Sequence, residues 1–323
     1  YTLSYTLSLH DALPISIIPF FDDFVVHYLY ENYDELWRLP MIKLFASDMD
    51  GTLLNPNHVI SDTTAQAIRD LQAQSDIEFL IATGRDYRSA KWLLDQHQLT
   101  ARIIAVNGAA TYDVKGNLED VFALDLADTQ TILERFAVPG TQTLVSLKSL
   151  NGYYVNDLAL YRQRMEAFMD HAKEATSDDS LAQLELHFKE LLPLKDYQPD
   201  LDPPLKIMLI DRRPEILESA RHFLKDFAID LTSSGPDNLE ITSLKAQKGL
   251  AIEAYCQHHG FTKHQVLTIG DSANDRSMLA MFPNSYAMAN AGQTIKDLAS
   301  YEAPSNAEDG VAHIIYQLLK QMK

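Results

Sequence analysis

The stretch "FASDMDGTLLN", residues 45–55, places two aspartates where an apolar run ends. The preceding pattern "MIKLFAS" is typical of a buried strand, and Asp48 and Asp50 follow its carboxyl end. Gly51 then allows the backbone to approach a ligand closely. Because open α/β sheets bind ligands at the carboxyl ends of their strands, the stretch predicts a ligand site as well as a strand. For the Asp-x-Asp motif alone, a solvated turn with capping side chains is the alternative.

Strand and helix patterns alternate on both sides of a central segment. Strands are predicted at 42–47, 77–83, 102–108, 265–271 and 285–290. Helices are predicted at 61–74, 86–99, 247–260, 274–282 and 309–322. Alternation of this kind is typical of βαβ units. The predicted fold class is therefore α/β, with a Rossmann-like parallel sheet as its core.

The central segment has a different character and predicts an inserted α+β cap domain at 112–238. It contains short elements, charged helices and the linker "PLKDYQPDLDPPLK". Within it, a strand is predicted at 205–210 and a helix at 213–227, with Pro214 near the first turn. The core is then discontinuous, with its first part at 41–111 and its second part at 239–323.

The first forty residues look foreign to this pattern. "YTLS" occurs twice in tandem, and "TLSLHDALPI", residues 6–15, resembles a sequencing-library adapter translated in one reading frame. Residues 1–40 are therefore interpreted as a non-native N-terminal extension, with Met41 as the natural start. A native but irregular extension is the alternative.

Composition narrows the choice of partners. The 323 residues carry a net charge of −18, from 45 acidic and 27 basic residues, without a basic run. This balance argues against nucleic acid or an anionic membrane as the main partner. No apolar run reaches 18 residues, so no membrane span is predicted. The single cysteine, Cys256, cannot form an internal disulfide, which suits the cytoplasm. The chain is expected to be a monomer or a homodimer.

Three further motifs lie at predicted strand ends or helix starts. Thr83 and Gly84, in "IATGR", would present a hydroxyl and free helical N–H groups to a phosphate, although a helix N-cap would also explain Thr83. Lys248 begins a predicted helix, where its charge opposes the helix dipole, so a functional role is favoured. The motif "GDSAND" follows another strand and contains Asp271, Asn274 and Asp275.

The acidic strand ends would converge in one parallel sheet. Asp271 and Asp275 can be read as helix-capping residues. Their carboxylates and those of Asp48 and Asp50 would repel one another unless a hard cation lay between them. Carboxylate oxygens are the ligands that Mg²⁺ prefers, so the pattern favours a magnesium site.

In this order, "DMDGTLL", "ATGR", "KG" and "GDSAND" resemble the four motifs of the haloacid dehalogenase-like phosphatases. The resemblance covers Met41 to Lys323 and is to the Cof-like branch, which has a large type IIB cap between the second and third motifs. "APSNAEDGVA" and "LKIMLID" are similar to segments of its sugar-phosphate phosphatases. The resemblance implies a Mg²⁺-dependent phosphatase that acts on small phosphorylated metabolites.

The resemblance also implies a role for each motif residue. Asp48 attacks phosphorus and becomes an aspartyl phosphate, while Asp50 protonates the leaving oxygen and then activates water. The phosphoryl oxygens are held by Thr83, by Lys248 and, through the backbone, by Gly84. The Mg²⁺ ligands are Asp271, the Asp48 carboxylate and the Asp50 carbonyl, with support from Asp275 and Asn274. Asn107, in "VNGA", contacts the substrate or orients the hinge.

Asp50 has to be protonated at the right moment, which a carboxylate-rich neighbourhood would favour. A phosphohexose mutase and a non-catalytic regulatory or ligand-binding protein are the alternatives to a phosphatase, because a fold alone does not fix function.

Overall fold

The computed structural model describes residues 41–172, 190–233 and 235–322, with side chains up to 166 in the first range. The predicted non-native extension, 1–40, lies outside the described residues. No helix in these three ranges is both long enough and apolar enough to cross a membrane.

The described strands and helices alternate along much of the chain. The strands are β1 Leu44–Ser47, β2 Glu78–Ala82, β3 Arg102–Ala105, β4 Ala110–Tyr112, β5 Leu118–Val121, β6 Leu144–Ser149, β7 Tyr153–Val155, β8 Leu191–Pro193, β9 Pro204–Ile210, β10 Ile229–Thr232, β11 Asn238–Ser243, β12 Val266–Gly270, β13 Asn284–Met288 and β14 Tyr301–Ala303. The helices are α1 Asp62–Gln74, α2 Tyr87–Asp95, α3 Leu126–Phe136, α4 Leu158–Ala172, α5 Pro214–Leu224, α6 Lys248–His259, α7 Arg276–Met281, α8 Gln293–Lys296 and α9 Gly310–Gln321.

The first sheet has the order β14-β13-β12-β1-β2-β3-β4-β5. The strands from β14 to β3 are parallel, and β4 and β5 are added antiparallel. β1 is central, with Leu44 opposite Glu78 on one side and Val266 on the other. The α/β class with a Rossmann-like core is confirmed.

Helices cover both faces of this sheet. Phe45 packs in the same apolar cluster as Ile68 of α1 and Ile315 of α9. Leu44 points the other way and packs in a cluster with Ile252 of α6 and Met278 of α7. Successive side chains of a strand point to opposite faces, so a strand buried on both faces must be apolar throughout. This explains why the run before Asp48 has no polar alternation.

The second sheet has the order β10-β11-β9-β6-β7-β8 and is antiparallel except between β7 and β8. One face packs against α3 and α5, with Ile132 and Leu217 in the same cluster as Ile207. Membership of this sheet places the insertion between Val121 and Ser243, rather than at 112–238. The two limits differ because β4 and β5 extend the first sheet and because β11 belongs to the second.

The two segments that join the sheets pass close together. On the way out, the Phe122 N–H donates to the Ala109 carbonyl at 2.8 Å. On the way back, Gln247 lies against Gly108, where a Cβ atom would be 2.6 Å from the Gln247 carbonyl oxygen. Gly108 also has a φ of 103°, which favours glycine. Both crossings are thus fixed to the turn that follows β3.

Candidate active site

Asp48 and Lys248 form a buried ion pair at the carboxyl end of β1. The Lys248 Nζ donates to Asp48 Oδ1 at 2.6 Å and to Asp275 Oδ1 at 2.7 Å. The Lys248 side chain is 0% exposed, and the Asp48 side chain is 4% exposed. Burial lowers the pKa of Lys248, but the charges of Asp275 and Asp48 outweigh it and raise that pKa, so the ammonium stays charged.

The second oxygen of Asp48 has no protein partner. Asp48 Oδ2 is buried without a hydrogen bond from any described residue. Burial and the charges of Asp275 and Asp271 raise the pKa of Asp48 well above its ordinary value, against the lowering effect of Lys248. A buried carboxylate oxygen with no donor is unfavourable by itself, so this geometry suits a cationic ligand.

Asp48, Asp271 and Asp275 present carboxylate oxygens within 4.8 Å of one another. The three carboxylates differ in how many of their oxygens are already hydrogen-bonded. Asp275 Oδ1 accepts from Lys248, and its Oδ2 accepts from the Asp271 and Ser272 N–H groups, each at 2.9 Å. Asp271 is freer, with one 3.3 Å hydrogen bond from the Thr52 hydroxyl. Burial and the charge of Asp275 raise the pKa of Asp271 to about 6.

This donor set fits a hard divalent cation. It consists of oxygens only, it contains an orphaned buried oxygen, and its carboxylates are short of positive charge. Asp48 Oδ2 and Asp271 are the carboxylate groups with capacity for a metal, whereas Asp275 is occupied in fixing Lys248 and the loop after β12. The predicted capping role of Asp275 is also present, because its carboxylate accepts from the Ser272 backbone in a capping box.

The turn after Asp48 brings the backbone against Asp271. Met49–Leu53 form a single helical turn that is interrupted at Asp50 and Gly51. Gly51 has a φ of 79°, and a Cβ atom there would be 2.3 Å from Asp271 Oδ2. Only glycine fits this position without moving Asp271. The sequence predicted that Gly51 lets the backbone approach a ligand; in the structure the group that it approaches is the Asp271 carboxylate.

Asp50 points to Arg85 rather than to the carboxylate cluster. The Arg85 Nε and Nη2 donate to Asp50 Oδ2 and Oδ1 at 2.7 and 2.6 Å. Burial would raise the pKa of Asp50, but the hydrogen bonds and charge of Arg85 outweigh it and lower that pKa. The expectation that a carboxylate-rich neighbourhood keeps Asp50 protonated is wrong for this structure. Asp50 is an ionised carboxylate in a bidentate pair.

Thr83 directly follows β2, two residues before Arg85. It is fully buried, and its hydroxyl accepts from the Arg85 N–H at 3.1 Å. It is not the N-cap of α2, because Asp86 takes that position and accepts from the Ser89 N–H. The structure thus removes the capping alternative for Thr83 and leaves its hydroxyl in the loop that carries Arg85.

Gly84, Asn107 and Asn274 meet at one side of the site. Asn274 Nδ2 donates to Asn107 Oδ1 at 3.0 Å. A Cβ atom on Gly84 would be 2.9 Å from that same oxygen. Asn107 has a φ of 58° and also reaches the second sheet, where its Nδ2 lies 3.5 Å from Glu240 Oε2. Asn107 therefore connects the loops of the first sheet to β11.

Nine residues were predicted for this site, and the structure places all of them at the carboxyl end of the first sheet. They form three contact groups. The first contains Asp48, Lys248, Asp271 and Asp275, the second contains Asp50 and Arg85, and the third contains Gly84, Asn107 and Asn274. Thr83 links the second group to the third through the loop 83–85. Arg85 and Glu240 were not assigned to it from the sequence. The position of Arg85 in "IATGR", two residues after Thr83, was the available signal.

Comparison with known proteins gives a consistent picture. The family model of the haloacid dehalogenase-like hydrolases matches residues 45–315. Phosphatase YwpJ of Bacillus subtilis (strain 168) is 29% identical over 298 residues, which are 86% of this chain and 100% of that protein. The 5-amino-6-(5-phospho-D-ribitylamino)uracil phosphatase YcsE of the same organism is 30% identical over 274 residues, covering 85% of this chain and 94% of the relative.

A solved structure supports the same assignment. A haloacid dehalogenase-like hydrolase from B. subtilis superposes with a TM-score of 0.71 at 26% sequence identity. The match covers 86% of this chain and 100% of the other.

Proposed function

Because this chain belongs to the haloacid dehalogenase-like hydrolases and is a phosphatase of their Cof-like branch, we propose that it hydrolyses small phosphorylated metabolites with Mg²⁺. Sugar phosphates are the proposed substrate class, and the cytoplasm is the proposed location. The observation that carries the proposal is the buried Asp48, with one oxygen on Lys248 and the other unpartnered beside Asp271.

The proposed reaction has two displacements at phosphorus. Asp48 attacks the phosphoryl group, the ester P–O bond breaks, and the leaving oxygen takes a proton from Asp50. Water then attacks the aspartyl phosphate and gives a proton to Asp50, so that inorganic phosphate leaves and Asp48 is restored. Two easier displacements replace one difficult hydrolysis. When bound at Asp48 and Asp271, Mg²⁺ would supply positive charge that offsets repulsion between the phosphate and the carboxylates.

The remaining residues hold the phosphoryl group and the acid. Lys248 offsets charge beside Asp48, and the Thr83 hydroxyl with the Gly84 backbone is proposed to bind phosphoryl oxygens. Asp50 has to leave its bidentate pair with Arg85 to carry a proton in the first displacement. A phosphate dianion near Arg85 would compete with Asp50 for that guanidinium, which gives a physical route to its release.

The test is a phosphate-release screen over sugar phosphates, nucleotides, and flavin and pyridoxal phosphates, with and without Mg²⁺. We expect turnover that depends on Mg²⁺ and falls by about 10³-fold or more in Asp48→Asn, because the amide is a poor nucleophile. Asp76→Asn, an exposed aspartate outside the site, is the matched control. Substantial turnover in Asp48→Asn with Mg²⁺ present would contradict the assignment.

The same screen separates the phosphatase from its alternatives. A phosphohexose mutase would need a bisphosphate activator and would protect its aspartyl phosphate from water, so phosphate release without an activator would exclude it. A regulatory protein would bind phosphate esters without turnover. The intact set of Asp48, Lys248 and Asp271 favours catalysis.

A further inference from the structure

A pocket of about 590 Å³ adjoins the candidate active site. Asn107 and Asn274 form part of its wall, so it opens beside the loop that contains Gly84. The wall from the second sheet is the edge strand β10, with Asp230 and Thr232 among its lining residues. Its volume is that of a site for a small metabolite.

Two arginines line this pocket from opposite sides. Arg221 lies in the last turn of α5, on the second sheet, and Arg276 begins α7, on the first. No described residue forms a hydrogen bond or ion pair with either guanidinium, unlike Arg85 and Arg213, which are paired with aspartates. An unpaired guanidinium presents a planar set of donors that matches a carboxylate or a phosphate.

The other polar groups of the pocket suit hydroxyl groups. The amides of Asn107, Asn274 and Gln247 make hydrogen bonds within the protein and keep further donor or acceptor capacity towards the pocket. The Thr232 hydroxyl also lies on this wall, whereas the Ser233 hydroxyl donates to the Asn238 carbonyl. Asp230 is the acidic residue among the lining residues, so the two arginines leave the pocket with an excess of positive charge. In a chain with a net charge of −18, such an excess is local and calls for an anionic ligand.

We propose that this pocket binds the leaving group of the substrate, and that this group is polyhydroxylated and carries a second anionic substituent, either a phosphate or a carboxylate. Arg221 and Arg276 bind the second anion, and the amides and Asp230 bind hydroxyl groups. The proposal rests on the proposed phosphatase function. It narrows the substrate class from sugar phosphates in general to those with two anionic ends.

The test compares kcat/KM for four substrates: a hexose bisphosphate, a phosphorylated sugar acid, a hexose monophosphate, and p-nitrophenyl phosphate, whose leaving group has no second anion. We expect the wild-type protein to prefer one of the first two, which decides between phosphate and carboxylate. Arg221→Gln and Arg276→Gln should each reduce the ratio of kcat/KM for the preferred substrate to that for p-nitrophenyl phosphate by about 10-fold or more, as expected for loss of a charged hydrogen bond.

Arg212→Gln is the matched control, because Arg212 is exposed before α5 and does not line the pocket. Its ratio should equal that of the wild-type protein. Hydrolysis of all four substrates with equal ratios in the wild type and both arginine variants would overturn this inference and leave the phosphatase assignment standing. If no ester is hydrolysed, the phosphatase assignment fails. In that case, calorimetry measures the binding of the hexose bisphosphate and of the phosphorylated sugar acid to the wild-type and Arg221→Gln proteins. If each ligand binds both proteins with equal affinity, or if neither ligand binds, the inference about the pocket is overturned.

Discussion

Asp48 and Asp50 lie two residues apart and experience opposite electrostatic environments. Asp48 is buried among carboxylates, which raises its pKa, whereas Asp50 is paired with Arg85 and has a lowered pKa. The proposed chemistry needs the reverse, a charged nucleophile and a protonated acid. A cation beside Asp48 and competition for Arg85 would each move its aspartate towards the required state. Binding of the metal would thus favour a charged Asp48, and binding of the substrate would favour a protonated Asp50.

The first prediction concerns Arg85. In Arg85→Gln, burial is no longer outweighed, so the pKa of Asp50 should rise. The limb of the kcat/KM profile that falls with increasing pH should move to higher pH, even if the maximum is lower. Arg85→Lys, which keeps the charge without the bidentate geometry, should lie between the wild type and Arg85→Gln.

Arg88→Gln is the control for this shift. Arg88 lies three residues after Arg85, in the first turn of α2, and pairs with Glu190 at the surface. Its pH profile should match that of the wild-type protein. An unmoved limb in Arg85→Gln would mean that Arg85 does not set the ionisation of Asp50.

The second prediction concerns Asp271 and the cation. In the metal-free protein, the raised pKa of Asp271, about 6, means that the folded state holds a proton that the unfolded state loses near its ordinary value. The stability that this proton adds to the folded state is fully present at pH values below the ordinary pKa of an aspartate. It is lost as the pH rises through about 6, the pKa of Asp271 in the folded protein. Mg²⁺ binds the ionised form, so the increase in Tm on adding Mg²⁺ should be larger at about pH 7.5 than at about pH 5.

Asp271→Asn removes this titration. The variant should have a higher Tm than the wild type without metal at neutral pH, because a buried charge is gone. It should also lose most of the Mg²⁺-induced increase in Tm. An increase of the same size at both pH values, or in the variant, would exclude Asp271 as the ligand responsible.

At the scale of elements, the turn after β3 is the most constrained connection. Val106, Asn107 and Gly108 all have positive φ values, and Gly108 lies against the backbone of Gln247. Gly108→Ala should reduce the free energy of unfolding by about 2 kcal/mol or more, because a strained φ and a backbone overlap add together.

Gly140→Ala separates these two effects. Gly140 also has a positive φ, but a Cβ atom there would meet nothing within 4 Å. Gly140→Ala should therefore reduce the free energy of unfolding by less, about 1 kcal/mol, from backbone conformation alone. Denaturant titration of both variants measures the difference. Equal losses would show that the contact with Gln247 is not a constraint.

The same region shows what the sequence can predict. β1, β2, β3, β12 and β13 were predicted because strands buried on both faces are continuous apolar runs. β4 and β5 were not, because Ala110–Tyr112 is short and Leu118–Val121 contains two acidic residues, one exposed and one half-buried, as is typical of an edge. Asp48 and Lys248 were found through motifs. The motif "IATGR" signals that Arg85 is near the site, but its pairing with Asp50 depends on the path of the loop after β2, which no local pattern specifies.

At the scale of the whole molecule, every candidate site residue and both sheets lie in the unit Ile42–Lys323. A chain that starts at Met41 should therefore keep the Tm and the phosphatase rate of the full chain. Melting curves and phosphate release at matched Mg²⁺ test this directly. A markedly lower Tm after removal of residues 1–40 would show that this segment stabilises the fold, and its interpretation as non-native would be withdrawn.

The paired crossings near Gly108 and Ala109 have a mechanical consequence. Tension applied between Ile42 and Gln321 would enter the first sheet through β1 at one end and through α9, which packs on the same sheet, at the other. The second sheet is attached through two segments held at neighbouring residues, so it lies outside the path of this force while the first sheet is intact. The insertion is thus shielded from stretching of the chain, and it would bear load only after the turn that follows β3 had torn open.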